Sequence, residues 1–314
     1  GEELWRYDTG SSNYVNTVSI SEDGKYIVAN SGDKINLFDK GSNTPLWSFE
    51  AQGGVNSLDI SANGDYIAAG DSRGYAYCFD RNSSTPLWTY ILDEPINSVD
   101  ISADGNYIVF GSSDNYVYLF TPEDDNPIWR YKTESNVNSV VISSNSEYIS
   151  AGTLSSRIYF FGVEDNNPLW SRDLGGSASS GIRSLSMSSD GEHIIVSIAA
   201  GHLYLFHKDS DEPIWNYDTN NDRLHSLDIS SDGAYLATGT YDGVIYAFGM
   251  DYNQTIEHRL PVVYDLSITP NPASSDERIY FSANFSLYEN QDLSSFYFGW
   301  GSDIDGTLSN SIQF

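Results

Sequence analysis

Cysteine is almost missing from this 314-residue sequence: Cys78 stands alone, so no internal disulfide can form. It lies in "YAYCFD", where sister segments carry Leu or Phe, and reads as a small buried hydrophobe. Basic residues are scarce too, with 15 Lys and Arg against 44 Asp and Glu and a formal charge of −29. Phosphate binding needs a basic footprint, which argues against nucleic acid as partner and equally against an anionic membrane surface. The charge reads as a solvated acidic surface that keeps the protein soluble. No stretch approaches the apolar length of a membrane-spanning helix, so direct membrane insertion is not expected. No signal peptide is visible. The sequence starts at Gly1 without Met and stops within "SNSIQF", and it is expected to be a segment of a longer chain.

Catalytic signatures are equally sparse. There is no GxSxG, HExxH, P-loop or CxxC pattern. The five histidines (His193, His202, His207, His225 and His258) lack metal-ligand spacing. His202 and His207 flank one strand at an odd separation, which places them on opposite faces. Calcium-type oxygen ligands are suggested by Asp303 and Asp305 in "SDIDG" and by Asp124 and Asp125 in "PEDDN". Neither stretch supplies the later bidentate acid of an EF-hand loop, and Asp-Gly turns recur here because hairpins need them. The expectation is therefore no metal and no cofactor, with Asp303 and Asp305 as the weak candidate pair. An enzyme is not expected.

What the chain has in abundance is aromatics, with 23 Tyr, 14 Phe and 7 Trp, and a strict repeat. Six tryptophans fall at Trp5, Trp47, Trp88, Trp129, Trp170 and Trp215, spaced 42, 41, 41, 41 and 45 residues apart. The third copy reads "INSVDISADGNYIVFGSSDNYVYLFTPEDDNPIWRY". "NSVDIS" alternates apolar and polar residues as a half-buried strand does. "ADG" is a tight turn whose Gly supplies a positive φ. "NYIVFG" and "NYVYLF" are the next two strands, and Pro before the fourth suits an outer strand, where its missing N–H breaks no ladder. Four short antiparallel strands in about 40 residues form a β-propeller blade.

On these motifs the sequence resembles two related families. "SVDISADGNYIVFGSSDNYVYLF" is similar to the inner strands of a WD repeat, while "ELWRYDTG" and "GVIYAF" resemble the repeats of pyrroloquinoline-quinone (PQQ)-type propellers. The resemblance covers residues 1–248. It departs from the WD pattern in lacking the Gly-His pair and in placing Phe38, Phe79, Phe120, Phe160 or Phe161, Phe206 and Phe248 where the third strand would end in Trp. Blades held by Trp and Phe packing are expected in place of the WD hydrogen-bond tetrad.

The expected fold is an all-β, six-bladed propeller over 1–260. Six inner triplets are counted, at 14–38, 55–79, 96–120, 137–161, 182–206 and 224–248. The Trp strand "ELWRYDT" precedes all of them, so it is expected to close the ring as the outer strand of the last blade, pairing Leu4–Tyr7 with 244–248. The alternative is a truncated seven-bladed ring. Residues 261–314 lose the period, and "ITPNP…IYFSAN" and "FGWGSDIDGTLS" resemble strands of polycystic-kidney-disease-type (PKD) or other immunoglobulin-like modules. At this length such a sandwich is partial.

The rim that carries the loops into the first strands is the expected binding face. One position there holds Asn16, Asn56, Asn97, Asn138, Arg183 and His225. Four identical Asn suggest backbone capping at each blade. Arg183 and His225 depart from it in neighbouring blades, beside Arg223 and the array's one insertion, "DLGGSASSG". With Tyr14 and Asn136 on the same rim, this sector is expected to contact an acidic or polar protein, peptide or glycan. The opposite rim, with "PEDDN", "EDNN" and "KDSDE", reads as a solvated face. The resemblance implies a monomeric, non-enzymatic scaffold on an extracellular or envelope protein, as in the bacterial lipoprotein that helps assemble outer-membrane proteins. The competing implication is a quinone-dependent or carbohydrate-active enzyme, which requires acids clustered in the central channel.

Overall fold

The computed structural model describes residues 3–10, 14–175, 181–219, 223–241 and 243–250, together with strands Val262–Thr269 and Tyr280–Phe285. Every regular element among them is a β-strand. Each repeat is one antiparallel sheet with its strands side by side in chain order. Blades 1 to 5 span 18–50, 55–91, 96–132, 137–173 and 182–218, each with four strands. Blade 6 consists of Leu224–Ile229, Tyr235–Thr240 and Ile245–Gly249, extended by Val262–Thr269 and Tyr280–Phe285.

Blade 3 shows how the residues dictate the sheet. Its first strand pairs Val99 with Phe110 and Ile101 with Ile108, so the apolar members of the alternation share one buried face. The turn that follows is built from two side chains. Ser102 Oγ accepts from the Tyr107 N–H at 3.0 Å and donates to Asp104 Oδ1 at 2.6 Å, which accepts from the Asn106 N–H at 3.0 Å. Gly105 takes φ 77° to close it. The same serine bridge recurs at Ser21, Ser61, Ser143, Ser188 and Ser230, with Asn63 and Asn145 standing in for Asp.

Consecutive blades are joined by the Trp–Phe pairs. The indole of Trp47 lies 5.3 Å from the Phe79 ring, Trp88 5.1 Å from Phe120, Trp129 5.5 Å from Phe161 and Trp215 5.0 Å from Phe248. Each Trp sits on the outer strand of one blade and each Phe on the third strand of the next. In blade 4, Phe161 is therefore the equivalent of the other Phe residues, while Phe160 stacks on Trp170 of its own sheet at 5.0 Å. Burying such a ring contributes about 1.5–3 kcal/mol. Glycine in the second strand lets the sheets approach: a Cβ on Gly70 would lie 2.2 Å from Ile96 Cγ2, and one on Gly111 2.7 Å from Val137 Cγ1.

The expected pairing of Leu4–Tyr7 with 244–248 is not found. The third strand of blade 6 pairs with Val262–Thr269, with Ala247 opposite Tyr264 and Ile245 opposite Leu266. That fills the edge assigned to Leu4–Tyr7, and residues 3–10 carry no strand. Instead, Trp5 stacks on Phe38 of blade 1 at 5.3 Å and donates its Nε1–H to the Lys40 carbonyl at 2.8 Å. This is the place that each outer-strand Trp takes on the following blade. The physical reason the sequence misled is that any extended segment of suitable alternation can satisfy an open edge. First strands pack against one another from blade 1 through blade 6, but blades 6 and 1 are not joined in this way among the described residues. Accordingly Val15, Val18 and Ile20 of blade 1 are 53%, 63% and 57% exposed, whereas Ile96, Val99 and Ile101 of blade 3 are no more than 7% exposed.

Candidate functional site

The rim position follows from a β-bulge. In blade 2, Val55 pairs with Asp71 and Ser57 with Gly70, which leaves Asn56 as the extra, unpaired residue. The same register shift isolates Asn97, Asn138, Arg183 and His225. A bulge re-aims the side chain it carries. Here it aims the carboxamide at the next blade. Asn16 Nδ2 donates to the Val55 carbonyl at 3.4 Å, Asn56 to Ile96 at 2.9 Å, Asn97 to Val137 at 2.8 Å and Asn138 to Ile182 at 2.8 Å. These four asparagines staple successive blades at one rim.

Arg183 and His225 occupy the same bulge without a carboxamide, and both are exposed. Arg223 is exposed beside them, its carbonyl accepting from the Tyr241 N–H at 2.9 Å. The His225 ring meets that of Tyr241 edge-on at 4.7 Å, and Tyr241 is 66% exposed. Among the described residues, neither arginine has an ion-pair partner, unlike Arg81, Arg157 and Arg172. Guanidinium groups left open in this way suit anionic groups such as carboxylates and sulfates. Asn136 lies half-buried on the adjacent blade, with its carbonyl bonded to the Leu154 N–H. The fold thus gathers Asn136, Arg183, Arg223 and His225 on blades 4 to 6. Tyr14, 82% exposed, precedes the first strand of blade 1. The insertion between blades 4 and 5 has residues 176–180 outside the described residues. Asp303 and Asp305 also fall outside the described residues. Asp124 Oδ1 accepts from the Asn126 N–H and carboxamide, which makes it a turn former.

Sequence reasoning missed a pair of carboxylates on the innermost strands. Asp59 and Asp100 sit one repeat apart in "SLDIS" and "SVDIS", and that recurrence was the available signal. Asp59 accepts from Ser19 Oγ at 2.6 Å and from the Ile101 N–H at 3.1 Å. Asp100 accepts from the Ile142 N–H at 2.7 Å and from the Ile101 N–H at 3.1 Å. Each side chain keeps some accessible surface on the axial side, yet protein crowds it closely enough that desolvation governs its ionisation. Burial pushes both carboxyls above the ordinary range; Asp100 moves furthest because Asp59 lies beside it. In blade 2, Cys78 is buried and its thiol is pushed up to about 12 by burial.

The family profile described as "Outer membrane protein assembly factor BamB", built on PQQ-type repeats, matches residues 1–217. The profile described as "WD domain, G-beta repeat" matches residues 211–248. No curated protein matches the chain.

Proposed function

The chain belongs to the PQQ-repeat family described as outer membrane protein assembly factor BamB, and on that premise we propose that it is a non-enzymatic interaction scaffold of the cell envelope or cell surface. A propeller holds loops from separate blades at fixed positions on one rim, which suits recognition of an extended partner. The binding sector is the rim of blades 5 and 6, where Arg183, Arg223 and His225 receive an acidic or polar peptide or glycan.

One observation carries this reading. The bulge position staples blades wherever it is Asn, and at Arg183 and His225 it is released from that duty and exposed. The family description, which ties its members to outer-membrane protein assembly, supports an envelope location. In this reading the propeller acts as a monomer. Reversing both arginines (Arg183→Glu with Arg223→Glu) tests the proposal against arrays of acidic peptides and sulfated glycans. Loss of binding at unchanged melting temperature is expected; retention of all binding by the double variant would overturn it.

A further inference from the structure

The amide of Ile101 lies 3.1 Å from an oxygen of Asp59 and 3.1 Å from an oxygen of Asp100, so two carboxylates of neighbouring blades converge on one N–H. Two acceptors on one N–H lie close to each other, and two carboxylates can share a hydrogen bond only if one of them carries a proton. The chain of bonds runs from Ser19 in blade 1 through Asp59 and Asp100 to the Ile142 amide, and it crosses four blades. We propose that Asp59 and Asp100 hold a single proton between them and that its release loosens blades 2 to 4, a pH-operated clamp on the axial side of the array.

The surroundings offer the pair hydrogen-bond donors but no positive charge. Ser19 faces it from blade 1, and Val141 and the Ile142 amide from blade 4. The second strands place Ala68 opposite Asp59 and Val109 opposite Asp100. At the same height further round stand Ser186 and Asp228, joined to each other at 2.9 Å. No Lys, Arg or His occupies this belt, so the second ionisation sets two negative charges side by side at a crowded site. Burial and the neighbouring Asp59 charge hold Asp100 well above the usual carboxylate range.

The direction of the effect follows. The folded pair binds its proton more tightly than the unfolded chain does. Its contribution to stability is therefore complete below the ordinary carboxylate range and lost as pH rises through the elevated value. Between those two limits the folding constant falls about tenfold per pH unit.

Urea unfolding of the full chain across a pH series, at fixed salt, tests the clamp by comparing the native protein with Asp100→Asn, whose carboxamide donates to Asp59 at every pH. The native midpoint is expected to drop on the alkaline side of the carboxylate range, and the variant's to stay flat and higher there. Equal profiles for the two proteins would overturn the proposal. Should the variant fail to fold, Asp59→Asn takes its place. Carbon-detected NMR of the native carboxyls gives an independent reading: two widely separated steps for Asp59 and Asp100 are expected, and ordinary, coincident titration would overturn the clamp.

Discussion

The indole Nε1 of Trp129, on the outer strand of blade 3, donates to the Val163 carbonyl of blade 4 at 2.8 Å while its ring packs on Phe161 at 5.5 Å. The same bond links Trp5 to Lys40, Trp47 to Arg81, Trp88 to Thr121 and Trp170 to Lys208. The repeat's most visible residue therefore serves as the hinge pin between blades and does not lie in the core of its own sheet. Trp129→Phe keeps a ring but strands the Val163 carbonyl, at a cost of about 1–2 kcal/mol. Trp129→Ala also empties the pocket, at about 3–5 kcal/mol. Denaturant unfolding reads both, and equal costs for the two variants would contradict the assignment of the bond.

Steric fit between blades makes a second prediction. Gly111→Ala would place a methyl 2.7 Å from Val137 Cγ1 and 2.9 Å from Val140 Cγ1. Overpacking of this kind costs about 1–3 kcal/mol. Combining it with Val137→Ala should cost less than the two single changes together, as a double-mutant cycle would report.

The bulge position offers a test that separates structure from recognition. Asn97→Ala removes the donor to the Val137 carbonyl and should destabilise by about 1–2 kcal/mol. Arg183→Asn restores the staple residue in blade 5 and should stabilise by about 0.5–1 kcal/mol while weakening partner binding. A stabilised variant with undiminished binding would place the binding face elsewhere.

Acid should act through the turns. The serine and backbone bonds to Asp23 and Asp232 hold their carboxyls below the usual range. A depressed folded-state value contributes stability above the unfolded value and loses it as pH falls. The unfolding midpoint should therefore decline on the acid side, opposite in sign to the effect of the Asp59–Asp100 pair. Asp232→Asn should make the acid limb shallower and leave the alkaline limb unchanged.

Much of this organisation is legible in the sequence. The tryptophan period, the Asp-Gly turns and the alternation in "NSVDIS" give the blades because each is a local signal. The bulge is not legible, since alternation is the same whether or not Asn56 is paired; only the register with Asp71 and Gly70 exposes it. The partner of the last inner strand was not legible for a related reason. The edge of Ile245–Gly249 accepts any extended partner, and Val262–Thr269 follows it in the chain while Leu4–Tyr7 does not. The proton-sharing pair escaped because Asp59 and Asp100 look like ordinary polar members of a half-buried strand until the next blade is set beside them.

Cys78 gives a chemical check on the packing. With its thiol buried and pushed up to about 12, it should resist a thiol reagent at neutral pH until the chain unfolds. Rapid labelling of the native protein would show that blades 2 and 3 part readily.

The most direct test of the interaction scaffold is site-specific photo-crosslinking in the native envelope context. A photoreactive residue at 183, on the bulge of blade 5, is compared with one at 209, on the opposite rim. The account predicts a discrete adduct from 183 and none from 209; adducts from 209 alone, or from neither position, would contradict it.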